Sequence, residues 1–286
     1  MSSKDFQERL YGEKPANYAL LDAGGGKKLE RFGNIVTIRP EVQAYFQSAH
    51  PFSKWNEMAD LEFHDKGSQK GFWKKRNEQT PDQWTFEVEQ LSIELRLTKF
   101  KHLGVFPEQF SNWEFIRQQL TPGDSFLNLF AYTGMASLVA RSCGAEVTHV
   151  DSVKQLISWS KHNMELSGLD NIRWIAEDAV KFVLRATKRG TLYQGIVLDP
   201  PAFGLGVKGE KWILDQHLDA LLEACSKILA PNGFLILNTY SPKVNLEFIR
   251  QLANKHFRGR SLEVKELWLR SDTDRDLFFG QVLRVN

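Results

Sequence analysis

Leu262-Glu-Val-Lys-Glu-Leu-Trp-Leu269 and Leu277-Phe-Phe-Gly-Gln-Val-Leu-Arg-Val285 are two strand patterns separated only by the turn Ser271-Asp-Thr-Asp-Arg275. They break a rhythm that begins near residue 105. Ser125 to Phe130, Glu146 to Val150, Ile172 to Ala176, Gly195 to Leu198 and Phe234 to Asn238 are short apolar runs, the composition of strands buried on both faces of a parallel sheet. Helical patterns lie among them at Met135 to Ser142, Val153 to Ser167, Ala179 to Lys188, Ile213 to Leu229 and Asn245 to His256. The alternation predicts a doubly wound α/β sheet with right-handed crossovers. The final pair predicts an antiparallel hairpin that closes it.

Before residue 105 the chain has another character. β-rich runs at Asn34 to Arg39, Thr85 to Val88 and Ile93 to Leu97 are spaced by Gly24-Gly25-Gly26, Pro40, Pro51 and Thr80-Pro81-Asp82. Two domains follow, a β-rich one over 1–104 and an α/β one over 105–286. Lys70-Gly-Phe-Trp-Lys-Lys-Arg76 gathers Lys70, Lys74, Lys75 and Arg76 around two aromatics. That mixture can track phosphates and stack on bases, or it is a solvated loop with its aromatics folded beneath.

With 42% apolar and 25% charged residues, the chain of 286 residues has globular composition, which argues against disorder and fibrous classes. Thirty-seven Lys plus Arg against 35 Asp plus Glu leave a formal charge of +2, so any nucleic-acid contact must rest on a local patch. Cys143 and Cys225 are the only cysteines, which excludes a disulfide scaffold or a four-cysteine zinc site and suits a reducing cytoplasm. The histidines show no zinc spacing, so no metal is expected. Neither a signal-peptide core near Met1 to Leu10 nor an apolar run of membrane-spanning length is visible, so no membrane partner is expected.

In an open parallel sheet, ligands bind beyond the carboxyl ends of the strands where strand order reverses. The first of these strands ends in Leu127-Asn-Leu-Phe-Ala-Tyr-Thr-Gly134, where Asn128 and Thr133 offer polar contacts, Phe130 and Tyr132 flank the turn, and Gly134 admits close backbone approach. One glycine, without the triplet G-x-G-x-x-G, argues against a pyrophosphate cradle and hence against NAD or FAD. Asp151, at the end of the second strand, can accept both hydroxyls of a ribose, cap the next helix, or do both. Asp178 ends the third strand, where an adenine amino group would need an acceptor; the same residue can simply cap a helix. The fourth strand runs into Asp199-Pro-Pro-Ala-Phe203, a rigid corner rich in acceptors because proline removes backbone donors. A flat ring bearing N–H groups fits against Asp199 and the Pro200 carbonyl, with Pro201 beside it and Phe203 stacked on it. Gly204 to Gly209 looks like a lid.

These residues, with Leu229-Ala-Pro-Asn-Gly233, resemble the class I S-adenosylmethionine-dependent methyltransferases. More narrowly they resemble the bacterial enzymes that modify cytosine C5 or guanine N7 in 23S ribosomal RNA. The resemblance covers about residues 100 to 286 and implies a seven-stranded Rossmann-like sheet, S-adenosyl-L-methionine as cofactor and RNA as substrate. Lys101-His-Leu-Gly-Val-Phe-Pro-Glu-Gln109 with Asn112 is similar to the family's Gly-x-Phe-x-Asp-Gln segment, with Glu108 in place of the Asp, and implies that Phe106 and Gln109 help enclose the cofactor. The first hundred residues do not resemble the RNA-binding PUA domain of the cytosine-modifying members. Those members also carry a nucleophilic cysteine just beyond the fifth strand, where this chain reads Asn238-Thr-Tyr-Ser-Pro242. C5 chemistry needs that thiolate; Cys143 and Cys225 read instead as buried structural thiols. Transfer to a base nitrogen needs only alignment with the activated methyl, with Tyr240 closing the far side of the acceptor. The near-neutral charge also admits a small-molecule or protein methyltransferase, or a catalytically idle cofactor-binding RNA module.

Overall fold

The structure, a computed structural model, describes residues 8–12, 15–67, 70–205, 211–241 and 243–286. The chain divides into two compact units: one takes the described residues up to Leu10, Asn112–Leu267 and Gly280–Asn286, the other Tyr11–Ser111 with Trp268–Phe279.

After the short β1 (Arg9–Tyr11), the second unit forms β2 (Tyr18–Gly24), β3 (Lys27–Phe32), β4 (Ile35–Pro40), α1 (Phe52–Met58), β5 (Leu61–Asp65) and β6 (Gly71–Lys75). These five strands, β2 to β6, make one sheet in sequence order, antiparallel except for the β4–β5 pair. Gly25 and Gly26, at φ 58° and 76°, supply the left-handed residues that the tight β2–β3 turn requires. Trp55 of α1 buries itself on Leu29, Ile38 and Ala59 over one face of the sheet. β7 (Gln83–Val88) and β8 (Leu91–Arg96) pair as a separate hairpin. The segment Lys70 to Arg76 is therefore not a loop: its middle is β6, an edge strand whose alternation was masked by lysine at both kinds of position.

A 3-10 turn at Pro107–Gln109 leads into α2 (Phe110–Gln119), β9 (Ser125–Leu129), α3 (Met135–Ser142), β10 (Glu146–Asp151), α4 (Lys154–Leu166), β11 (Ile172–Ala176), α5 (Ala179–Arg189) and β12 (Tyr193–Leu198). Then come β13 (Phe203–Leu205), β14 (Lys211–Ile213), α6 (Leu214–Ile228), β15 (Leu229–Thr239), α7 (Leu246–His256), β16 (Leu262–Leu269) and β17 (Leu277–Val285). The main sheet has the order β1-β16-β17-β15-β12-β9-β10-β11. β15, β12, β9, β10 and β11 are parallel, and β17 runs antiparallel to β15. All seven expected strands are present, and β1 adds an eighth at the edge. β15 starts five residues earlier than the apolar run suggested, because Leu229 pairs with Tyr193 before a bulge brings Phe234 opposite Gly195.

Alternate residues of these strands serve opposite layers. Leu127, Leu129, Ile196, Leu198, Leu235 and Leu237 pack against Phe182 and Val183 of α5, Leu218 and Leu222 of α6, and Ile249 of α7. Facing the other way, Phe234 meets Phe115 of α2 edge-on at 5.6 Å, and Asn128 reaches Ser137 of α3. Among the described residues no helix is long and apolar enough to cross a membrane, and no cluster of His, Cys, Asp or Glu could hold a metal ion.

Candidate active site

Strand order reverses at β9, which has β10 on one side and β12 on the other. Leu129 and Leu198 are register partners, and the Asp199 amide points to the Leu129 carbonyl at 3.5 Å. The turn after β9 and the proline corner after β12 are thus adjacent by construction. Phe130 and Tyr132 sit at φ 54° and 51°, with Gly134 at 92°. Alternating left-handed residues turn successive amides toward one side, forming a nest for electronegative groups. For Phe130 and Tyr132 this geometry costs about 1–3 kcal/mol each and persists only if the surroundings enforce it.

Those surroundings are specific. Asp151, at the end of β10, accepts the Tyr132 amide at 2.9 Å through Oδ2 and the Val153 amide at 2.8 Å through Oδ1. From α4, Ser160 Oγ donates to the Tyr132 carbonyl at 2.9 Å and Asn163 Nδ2 to the Thr133 carbonyl at 3.0 Å. A Cβ on Gly134 would come within 3.1 Å of Ser160 Cβ and 3.4 Å of His149 Cε1. Glycine is required there for φ and for packing on α4, and the side its missing side chain frees is filled by the protein itself. Beneath the turn, Asn128 is buried and donates through Nδ2 to Ser137 Oγ at 2.9 Å, which lies 3.0 Å from His149 Nδ1. Burial depresses the His149 imidazole to about 3, so this polar chain is neutral. Burial also pushes the Asp151 carboxyl above its ordinary range, although its two amide donors pull the other way.

On the same edge, the Glu177 amide donates to the Asp151 carbonyl at 3.1 Å, and Asp178 caps α5 by accepting the Lys181 amide at 2.9 Å through Oδ1. The capping role weighed from sequence is therefore present, and a carboxylate retains acceptor capacity beyond it. At the corner after β12, Pro200 is buried, Pro201 exposed and Phe203 58% exposed. Trp212, which sequence reasoning did not single out, donates through Nε1 to the Pro201 carbonyl at 2.7 Å. Its ring lies 5.5 Å from Phe130 and stacks on His217 at 5.4 Å and 24°. The only advance signal for Trp212 was an aromatic on the far side of the glycine-rich stretch. Residues 206–209 of the suggested lid lie outside the described residues; Phe203–Leu205 and Lys211–Ile213, on either side, pair as an antiparallel ladder.

Tyr240 follows β15 and is half-buried. The preceding Asn238 accepts a hydrogen bond from Asn112 Nδ2 at 2.9 Å, and Asn112 Oδ1 in turn accepts from the Arg284 guanidinium at 3.0 Å. Cys225 is buried in α6, where desolvation drives its thiol well up. Cys143, expected to be buried, is only partly so, at the end of α3; burial raises its thiol as well. Phe106 and Gln109 belong to the other unit, where Phe106 lies 5.2 Å from His102 and Gln109 is buried. Lys70, Lys74, Lys75 and Arg76 lie there too; Lys75 pairs with Asp82 at 2.8 Å and Arg76 with Glu62.

A family model described as S-adenosylmethionine-dependent methyltransferase matches residues 73–267. A SAM-dependent methyltransferase from Agrobacterium tumefaciens superposes with a TM-score of 0.91 at 37% identity, covering 97% of this chain and 93% of that one. A putative methyltransferase complexed with SAH shares the fold at a TM-score of 0.74 and 20% identity, over 99% of this chain and 77% of that one. Among curated proteins, ribosomal RNA large subunit methyltransferase K/L of Pseudoalteromonas translucida is 35% identical over 54% of this chain and 22% of its own length. Methyltransferase K of the large-subunit RNA from Neisseria meningitidis serogroup B is 32% identical over 49% of this chain and 41% of its own length. The chain thus spans well under half the length of these curated relatives.

Proposed function

The chain belongs to the S-adenosylmethionine-dependent methyltransferase family, and on that premise we propose that it methylates a base nitrogen of RNA, ribosomal RNA foremost. The observation that carries the reading is the strained Phe130–Gly134 turn, clamped by Asp151, beside Asp199 and Pro200 on the neighbouring strand. The donor set suits the cofactor: Asp151 accepts the ribose hydroxyls, Asp178 faces the adenine amino group, and the amides of the turn surround the remainder. Asn128, Phe130, Tyr132, Thr133 and Gly134 complete the set from the turn, with Asn128 acting from beneath it and Asp199 at its rim. Bound there, the cofactor supplies a methyl already activated on a sulfonium.

The chain's own contribution is alignment. Asp199 and the Pro200 carbonyl accept the acceptor ring's N–H groups and aim its lone pair, Phe203 offers an exposed stacking face, and Pro201 and Tyr240 bound the pocket. A nitrogen rather than C5 is supported by the want of a cysteine in Asn238–Ser241 and by the raised thiol of Cys225. RNA is supported by the names of the curated relatives and by the cations of β6. Labelled methyl transfer into ribosomal RNA from a strain lacking the gene, mapped by mass, tests the reading. Asp199→Ala should cut turnover about 10²–10³-fold while leaving affinity for S-adenosylhomocysteine nearly unchanged. Full turnover in that variant, or label found only on a ring carbon, refutes it.

A further inference from the structure

The sheet of the N-terminal unit has one face that α1 covers only in part. Trp55 seals the part over Leu29 and Ile38, and what stays open is the outer strip formed by β5 and β6. Register places Phe72 opposite His64 and Lys74 opposite Glu62 on that strip. The Phe72 and His64 rings stack at 5.2 Å with 15° between their planes, and Phe72 is 45% exposed. Lys66 Nζ stands 4.8 Å from the centre of the Phe72 ring. Glu62, the carboxylate in the middle, is already neutralised by Lys27 at 2.9 Å and by Arg76. The strip therefore presents an aromatic platform within a cationic frame.

Lysine on an edge strand is an ordinary guard against strand pairing with another chain. That explains Lys74 but not Phe72, since an exposed outward ring on an edge invites the association that lysine prevents. A cation over an exposed ring and further cations along the strand are what a single-stranded nucleic acid requires, with bases stacked on rings and phosphates on ammonium groups. Around the edge of β6 an open groove of about 420 Å³ is lined by Phe72, Trp73, Lys75, Leu97 and Lys99, with Asp82 paired to Lys75.

We propose that the open strip of β5 and β6 is a docking site for single-stranded RNA, with one base stacked on Phe72 and the flanking phosphates held by Lys66 and Lys74. It rests on the RNA reading above and adds where the strand is held. The test titrates the full chain against a fluorescent single-stranded 12-mer RNA and the same sequence as a duplex. The single strand should bind about tenfold or more tighter, because a duplex keeps its bases stacked on one another. Phe72→Ala should weaken binding about 5- to 100-fold and Phe72→Trp should restore it. Lys66→Ala with Lys74→Ala should flatten the slope of log affinity against log salt by about 1.4, two phosphate contacts on a single strand. Affinity for S-adenosylhomocysteine stays unchanged in all three. Equal binding of wild type and Phe72→Ala, equal binding of duplex and single strand, or an unaltered salt slope overturns the docking site. RNA methylation that persists alongside any of those results leaves the RNA reading standing; no methyl transfer to RNA despite cofactor binding removes that reading instead.

Discussion

Asp151 is assigned two jobs, holding the strained turn and binding ribose, and two substitutions separate them. Asp151→Ala leaves the Tyr132 and Val153 amides, bonded at 2.9 and 2.8 Å, without their acceptor in a site only 8% exposed. Each orphaned donor costs about 1–3 kcal/mol, so the free chain should lose about 2–6 kcal/mol, or roughly 4–24 °C in melting midpoint at about 2–4 °C per kcal/mol. Asp151→Asn keeps one oxygen acceptor and removes a charge that burial disfavours. Its free-state loss should be about 1 kcal/mol. Both variants lose charge-assisted bonds to the ribose hydroxyls, worth about 1.5–3 kcal/mol each, so affinity for S-adenosylhomocysteine should fall at least tenfold in either. The assay is the melting midpoint with and without that ligand, which at 100 times the wild-type Kd adds about 2.7 kcal/mol to the native protein. An undiminished ligand-induced rise in Asp151→Asn refutes the ribose role and leaves the carboxylate as a clamp alone. The pH sign is fixed by the raised carboxyl. A raised folded pKa contributes stability that is complete below the unfolded pKa and disappears as pH rises through the folded one, so the loss in the asparagine variant, relative to wild type, should shrink on the alkaline side. Ligand affinity, which needs the ionised form, should weaken as pH drops through the folded value.

Trp212→Phe keeps a ring near Phe130 but loses the Nε1 bond to the Pro201 carbonyl. At about 1 kcal/mol that should slow turnover roughly fivefold with cofactor affinity intact, whereas an equal fall in affinity would assign Trp212 to the cofactor turn. Glu108, buried and pushed up to about 7 from 4.5 by desolvation, contributes stability that is complete below pH 4.5 and is lost as pH rises through 7. Glu108→Gln should therefore gain on wild type by up to about 3 kcal/mol between those limits, and parallel curves of midpoint against pH would contradict the buried acid. Cys143→Ala and Cys225→Ala should each retain turnover per folded molecule within about twofold. Loss of activity in either, with a trapped covalent RNA adduct in wild type, would restore the C5 chemistry.

The parallel strands were readable because burial on both faces leaves a continuous apolar run, as in Ile196–Leu198, and because β10, β11 and β12 run into acids at Asp151, Glu177-Asp178 and Asp199. The N-terminal sheet was only half readable because its buried face is charged. Lys28 and Glu30 of β3 point inward, Arg39 of β4 meets Glu30 at 2.6 Å, and Tyr18 Oη donates to Glu30 at 2.9 Å. Burial would raise the Glu30 carboxyl, yet Arg39 and Lys28 hold it below its ordinary range. A strand whose inward residues are Lys and Glu inverts the apolar alternation on which a strand is recognised, so β3 went unmarked.

What the turn Ser271–Arg275 touches was unreadable for another reason. Locally it is hairpin material, but its partners lie some 250 residues back: the Asp272 amide donates to the Leu20 carbonyl at 2.8 Å, and Thr273 Oγ1 to Asp22 Oδ1 at 3.3 Å. Asp22 is completely buried and also accepts the Ala23 amide at 2.9 Å, the His50 amide at 2.9 Å and the Trp55 indole at 3.0 Å. A buried carboxylate with that many donors is a structural hub, and part of what satisfies it arrives from the far end of the chain. The N-terminal unit therefore depends on residues 268–279 for its polar interior. A division drawn at one point along the sequence, such as 104/105, would leave Asp22 one donor short, which local patterning has no means to register.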